Sequence, residues 1–336
     1  MRIVIVGATG NVGVALLRAL KDRPEVDHIV GIARRPPGND EPADRGYGGK
    51  VSWVAADLMT DDLDAAFEGA DAVVNLAWRI QPARRRSQLH LTNVHGSRRV
   101  FDATLVSGAK ALVHASSVGV YAPGPKDRAV DESWPHTGVA TSSYSRDKAT
   151  VEAMLDRLEA THQGLRVVRM RPALIFQRDA GTEIAKYFLG PLVPRGLVRP
   201  RFLPVVPLPE EFRFQAVHAD DVAQAFATAL TSDVRGAFNL AADPVLDTAR
   251  LAELFHARPV NMPLPVLRAM ASASYRLRLQ PTDAGWVDMG ALTPLMDSTR
   301  ARTELGWQPR MSADAALLDL TEGIQEKATG PTPALR

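Results

Sequence analysis

The 336-residue chain is 46% hydrophobic and 23% charged, and 40 Lys and Arg against 38 Asp and Glu leave a formal net charge of +2. That length supports one large α/β unit or a domain plus a lobe, and the near balance of charge argues against a nucleic-acid partner, which calls for cations concentrated on one face. The lack of cysteine excludes disulfides, thiolate metal sites and a cysteine nucleophile; the eight histidines show no HExxH spacing, so no metal centre is expected.

The chain enters a branched apolar run at once. Arg2–Val6 reads as a strand, with no room before it for a signal peptide, and no apolar run reaches the roughly 18 residues of a membrane span, so a cytoplasmic protein is expected. "GATGNVG" follows, with Gly7, Gly10 and Gly13 at three-residue intervals, and then a helical pattern over Val12–Leu20 with Val12, Leu16, Leu17 and Leu20 on one face. Strand, glycine turn and helix make the first corner of a dinucleotide fold. Gly7 permits the tight turn, Gly10 lets the backbone approach a pyrophosphate, and Gly13 lets the helix pack close to the strand. The helix N-terminus offers free N–H groups and a partial positive charge to the phosphates. The spacing is GxxGxxG, not GxGxxG, and by itself marks a structural turn as readily as a cofactor site. Its place directly behind a strand favours the cofactor.

Ile29–Ala33 is the second strand, and it ends in "GIARRPPG". A site preferring NAD carries an acid at this point to accept from the adenosine ribose. Here Arg34 and Arg35 stand instead, with no carboxylate before Asp40. Guanidinium groups bind a 2′-phosphate that an acid would repel, so NADP(H) is the expected cofactor and NAD the alternative. The bland reading is two solvated loop arginines.

Val51–Ala55, Ala72–Ala77, Ala111–Ser116 and Arg166–Arg171 read as further strands, with a helix over Asp61–Phe67. Continuously apolar strands alternating with amphipathic helices specify a doubly wound parallel sheet of the Rossmann type. The pattern changes after about residue 172. Gly190–Pro209 carries six prolines in twenty residues, which bars a central strand or helix. It reads as an ordered excursion, either the wall of a substrate pocket or packing over the domain edge. "FQAVHADDVAQAFATAL" restarts a strand and helix, Ala237–Leu240 reads as a short strand, and 245–330 is mainly helical. The expected division is a dinucleotide domain over 1–172 plus about 213–243, and a smaller substrate lobe over 173–212 plus 244–330.

"SSYSRDKA" puts Tyr144 and Lys148 four residues apart, hence on one helix face. A phenol is a poor acid or base at neutral pH, and an ammonium one turn away draws its pKa toward the working range. Alone, such a pair marks an exposed helix face. Its company is "LVHASSVGVYAPG", whose Ser116 and Ser117 fall at the carboxyl end of a strand, where parallel sheets bind ligands.

GATGNVG at 7–13, "AADL" at 55–58, "NLA" at 75–77, "TNVHGS" at 92–97, "SSVGVY" at 116–121 and "YSRDK" at 144–148 occur in order. With "MRPALIF" at 170–176, "VHADDVA" at 217–223 and "STRARTELGWQPRMS" at 298–312, the chain resembles the extended short-chain dehydrogenase/reductases, the NAD(P)-dependent epimerase/dehydratase group. The resemblance covers nearly the whole chain. It implies that Ser117 hydrogen-bonds the substrate oxygen, with Ser116 the alternative if the loop registers differently. Tyr144 becomes the general acid/base, and Lys148 binds the nicotinamide ribose and lowers the tyrosine pKa. Asn11 and Val12 lie under the pyrophosphate, Asp57 accepts from the adenine amino group, and Leu58 lies against its ring. Leu76, Ala77 and Arg79 line the cofactor, and Pro172, Ala173 and Leu174 abut the nicotinamide. Asn93 is either part of the site or a structural residue of its helix. Tyr121 becomes a wall residue, and His218 and Asp221 hold the returning segment on the sheet.

The resemblance narrows the half-reaction more than the net one. Val118 and Gly119 stand where related dehydratases place an acid pair, which argues against dehydration. Pro172 replaces the asparagine, and Phe214–Gln215 the arginine–aspartate, that hold a sugar diphosphate in related epimerases. With the proline-rich stretch, this points to hydride transfer on a carbonyl or secondary alcohol of a small, fairly apolar substrate. A nucleotide-sugar epimerase is the alternative, which four arginines in "WRIQPARRRSQLH" would serve if they form an anion clamp and not a solvated loop. A non-catalytic NADP(H)-sensing regulator is a minor third reading, since such proteins lose the tyrosine or lysine that this chain keeps. The resemblance also implies a homodimer through helices containing Asn93–Ser107 and Tyr144–Ala160. In the second of these, Ala149, Val151, Ala153, Met154 and Leu155 face either a partner or the sheet.

Overall fold

The computed structural model describes residues 1–37, 47–80, 84–189 and 204–330. Seven strands form the main sheet: β1 (Arg2–Val6), β2 (His28–Ala33), β3 (Val51–Ala55), β4 (Ala72–Asn75), β5 (Ala111–Ala115), β6 (Arg166–Pro172) and β7 (Gly236–Leu240). Their order is β7-β6-β5-β4-β1-β2-β3, and every neighbouring pair is parallel. The order reverses between β1 and β4, which opens a crevice at the carboxyl ends of those two strands.

Alternate strand residues serve the two faces. Ile3, Ile5, Val74 and Val113 pack with Leu16, Leu17 and Leu20 of helix α1 (Asn11–Leu20), while Val4, Val73 and Leu112 meet helix α2 (Gly96–Ser107) through Val100 and Phe101. Helix α3 (Ser143–Thr161) adds Val151 and Leu155 to the α2 face, and α4 (Ala219–Thr231) adds Val222 and Phe226 to the α1 face. Such burial of apolar surface on both sides is what runs of Val and Ile in parallel strands require. β4 stops two residues short of the expected Ala77, because the Asn75 side chain takes the Ala77 N–H (3.2 Å).

The rest of the chain builds a lobe. Leu174–Phe176 and Phe214–His218 pair in parallel, and Ala242–Leu246 joins them antiparallel. Thus Phe214–His218 leaves the main sheet, although α4 and β7, which follow it, return to it. Two helices, α5 (Leu264–Arg276) and α6 (Ala284–Leu292), pack together, and α7 (Ala313–Glu326) covers the small sheet. Most of the proline-rich stretch lies outside the described residues; its end, Val205–Leu208, pairs in parallel with Arg258–Asn261. Among the described residues no helix is long and apolar enough to cross a membrane.

Candidate active site

The glycine turn is shaped by contact. Gly7 has φ +85°, and a Cβ there would stand 2.8 Å from the Ala77 amide nitrogen, so the turn and the Leu76–Ala77 segment touch backbone to backbone. A Cβ on Gly13 would lie 2.5 Å from the Ala8 carbonyl oxygen. Gly10 precedes α1 in extended conformation, and the first turn has neither a side-chain cap nor an acid. The N–H groups of Asn11, Val12 and Gly13 therefore lack intrahelical acceptors. A glycine turn beneath an uncapped helix start fits a pyrophosphate.

Around it, Arg34 and Arg35 are exposed at the end of β2, and Arg79 is half-buried after β4. Burial and the nearby Arg34 guanidinium lower the Arg79 pKa, against the attraction of Asp57. Asn93 holds the Arg79 segment in place: its amide oxygen accepts from Arg79 N–H (2.7 Å) and its NH2 donates to Arg79 C=O (2.9 Å). Asp57 accepts from Met59 N–H (2.9 Å), and Leu58 is buried beneath it. Pro172 and Ala173 are buried at the end of β6, with Ala173 N–H donating to Leu240 C=O (2.9 Å), and Leu174 is half-buried in the lobe's first strand. Asp40 lies outside the described residues.

The second half of the site hangs on the start of α3. Ser142 caps the helix, and the Ser145 hydroxyl donates to Gly119 C=O while accepting from Val139 N–H (2.7 Å). This ties α3 to the loop after β5 and brings the Ser117 hydroxyl to the Tyr144 phenol, whose pKa it draws down. Ser117 Oγ also accepts from Gly119 N–H (3.0 Å). Ser116 points the other way, donating to Glu152 Oε1 at 2.5 Å, so Ser117 alone of the two faces the phenol.

Lys148 lies one turn below Tyr144. Its Nζ donates to Ala115 C=O (2.7 Å), sits 3.6 Å from the centre of the Trp78 ring and lies 6.0 Å from the centre of the Tyr144 ring. Burial pulls its pKa down to about 7, partly opposed by Glu152. Trp286 of α6 packs on the Tyr144 ring at 5.0 Å, and Trp78 meets it edge-on at 5.9 Å. Enclosed by these rings, the phenol is pushed up to about 12, with the Ser117 hydrogen bond opposing. The expected lowering by Lys148 is absent here because the ammonium is turned to the Ala115 carbonyl and desolvation outweighs it.

A model of the NAD dependent epimerase/dehydratase family matches residues 3–241. The chain belongs to that family. Family members are enzymes, and so is this protein. The uncharacterized protein Rv2047c of Mycobacterium tuberculosis is 27% identical over 97% of this chain, which spans only 30% of that relative's length. The yeast (Saccharomyces cerevisiae) sterol-4-alpha-carboxylate 3-dehydrogenase ERG26, decarboxylating, is 28% identical over 52% of this chain and 51% of its own. A UDP-glucose-4-epimerase from Stenotrophomonas maltophila, solved with bound NAD and formylated UDP-arabinopyranose, shares the fold. It aligns at TM-score 0.72 and 21% identity over 97% of this chain and 98% of that one.

Three groups at this site are not evident from the sequence. Glu152, four residues past Lys148, was within reach of the same spacing argument. Buried with it are Arg171, which donates from Nε at 2.9 Å and from Nη2 at 2.9 Å, and Arg169, which donates at 3.1 Å. Trp78 lies in the arginine-rich stretch, whose charges dominate its sequence signal. Trp286 and Met289 arrive from a distant helix with no local signal; Met289 Sδ would be 3.1 Å from a Cβ on Gly119. Tyr121 is corrected. It is not a wall residue but fully buried, donating to Asn239 Oδ1 (2.6 Å) and accepting from Arg171 (3.1 Å). His218 caps α4, and Asp221 accepts from the Arg310 and Met311 N–H groups, both structural tasks.

Proposed function

We propose that this enzyme catalyses hydride transfer between a nicotinamide cofactor and the carbonyl or secondary alcohol of a small, fairly apolar substrate. The observation that carries the reading is the approach of the Ser117 hydroxyl to the Tyr144 phenol, with Lys148 Nζ 6.0 Å from the centre of the phenol ring. Gly7, Gly10, Asn11, Val12 and Gly13 would hold the pyrophosphate, with Leu76 and Ala77 alongside. Asp57 and Leu58 would take the adenine, and Pro172, Ala173 and Leu174 the nicotinamide side. Arg34 and Arg35, joined by Arg79, suit a 2′-phosphate and favour NADP(H) over NAD(H). The bound nicotinamide supplies or accepts the hydride.

The chain's own residues handle the oxygen. A phenol near 12 is fully protonated at neutral pH, the form that donates to a carbonyl gaining negative charge. Ser117 gives that oxygen a second hydrogen bond, which strengthens as the alkoxide forms. Lys148, one turn away with its Nζ turned to the Ala115 carbonyl, would bind the nicotinamide ribose.

Trp78, Trp286 and Met289 around the phenol support an apolar substrate, as does the similarity to a sterol dehydrogenase. Gln215 accepts from Met296 N–H (2.7 Å) and donates to Met296 C=O (3.0 Å), which occupies the position where a diphosphate-binding pair would stand. The similarity of fold to a UDP-glucose-4-epimerase keeps a nucleotide-sugar epimerase as the second reading. A homodimer through α2 and α3 would use the exposed Ala153, because Val151 and Leu155 are spent on the chain's own core and Met154 packs against it.

The test is oxidation of NADPH and NADH against cyclic and steroid ketones, run beside UDP-glucose epimerisation. Turnover of an apolar ketone, with the lower KM for NADPH, is expected. Interconversion of a UDP-sugar without net cofactor oxidation, and no ketone turnover, would replace this reading with the epimerase.

A further inference from the structure

Helix α5 turns its apolar side outward. Val266, Met270, Ala273 and Leu277 are spaced to lie in one stripe, and all four are exposed, Leu277 by 69% and Met270 by 55%. No residue of this 13-residue helix is buried. Its other side rests on α6, where Arg268 Nε donates to Asp288 Oδ1 at 2.6 Å, and the Arg84 guanidinium lies 4.2 Å over the Tyr275 ring. Apolar exposure continues past both ends of the helix. Leu279 follows it, and Val260 and Val205 precede it on the two-stranded ribbon, where Val205, Pro207 and Val260 share a face.

Charge says what such a face can meet. From Arg258 to Thr282 the chain has four arginines and no Asp or Glu. Arg268 is satisfied by Asp288, whereas Arg276 and Arg278 are exposed beside Leu277 and Leu279 and, among the described residues, make no ion pair. A second copy packed here about a two-fold axis would oppose arginine to arginine with no acid of this stretch to answer them. An apolar stripe fringed by free cations is matched by acyl chains below anionic headgroups, and a helix this short lies in that interface without spanning it.

We propose that the outward face of α5 docks this enzyme on the surface of an anionic lipid bilayer. Val266, Met270 and Leu277 enter the headgroup–acyl boundary, and Arg276 and Arg278 pair with lipid phosphates. The proposal stands independently of which reaction the site performs.

The experiment is co-sedimentation of the full chain with vesicles of pure phosphatidylcholine and of equimolar phosphatidylcholine and phosphatidylglycerol, with light scattering of the free protein in parallel. Binding to the anionic vesicles alone, weakened by salt, is expected. M270E/L277E should lose at least tenfold in apparent affinity, with an unchanged melting temperature because both side chains are exposed. R276Q/R278Q, which cannot disturb a core, should lose roughly fivefold per arginine. The proposal is overturned if the protein stays in solution with anionic vesicles, or if both variants sediment as the unsubstituted chain does. It is equally overturned if light scattering shows a dimer that M270E/L277E dissociates while no vesicle binding is found, since the face then belongs to a second copy.

Discussion

Tyr144, Lys148 and Glu152 occupy one stripe of α3 at four-residue intervals, yet the two ends of that stripe are built in opposite ways. At Glu152, burial is met in full. Arg171 and Arg169 donate to the carboxylate together with Ser116, which holds its pKa down at about 2 despite desolvation. At Lys148, an equally enclosed charge finds a carbonyl oxygen and an indole ring in contact, and Glu152 only at a distance, so its pKa falls to about 7. Pairing, not depth, separates a permanent charge from one that titrates near neutrality. The lower end of the stripe anchors the helix, and the upper end keeps groups whose protonation can change, as proton transfer needs.

The largest expected effect breaks the upper end. Tyr144→Phe should lower turnover by about 10²–10⁴ while leaving nucleotide binding intact, read by steady-state kinetics and by quenching of tryptophan fluorescence on titration with NADPH. Breaking the lower end should act on stability instead. Glu152→Gln takes the carboxylate from the buried Arg171, while Arg169 keeps Asp156 and Glu159, and should cost about 3–5 kcal/mol in urea unfolding; an unchanged midpoint would mean that the network does not anchor α3.

Lys148→Met sharpens the contrast through pH. Between the folded value of about 7 and the ordinary 10.5, the unfolded chain binds a proton that the folded one sheds, so stability of the nucleotide-free protein rises with pH across that window. The slope approaches about 1.4 kcal/mol per pH unit, and the methionine variant should lose it. Urea midpoints from about pH 7 to about pH 9 measure the difference. The smallest effect is the lid: Trp286→Ala should let the Tyr144 pKa fall back toward its ordinary 10, seen by ultraviolet difference titration.

Much of the fold was legible because its signals are local. A strand buried on both faces writes itself as a run of Val and Ile, a tight βα corner as glycines, and a helix face as a four-residue spacing. Tyr144, Lys148 and Ser117 could be singled out on that basis, and the choice between Ser116 and Ser117 could not. It depends on which hydroxyl meets Glu152 across the sheet's edge, a contact made 36 residues later in the chain.

By itself, then, the amino-acid order determined the parallel sheet, its glycine corner and the tyrosine–lysine helix, since backbone geometry and side-chain periodicity act over a few residues. Tertiary structure alone decided what surrounds them. It brought Trp286 onto the phenol from more than a hundred residues away, buried Tyr121 in the core and turned the apolar stripe of α5 outward. Desolvation and packing depend on every neighbour in space, and that is why the protonation of the site and the character of its surface appear only once the chain has closed on itself.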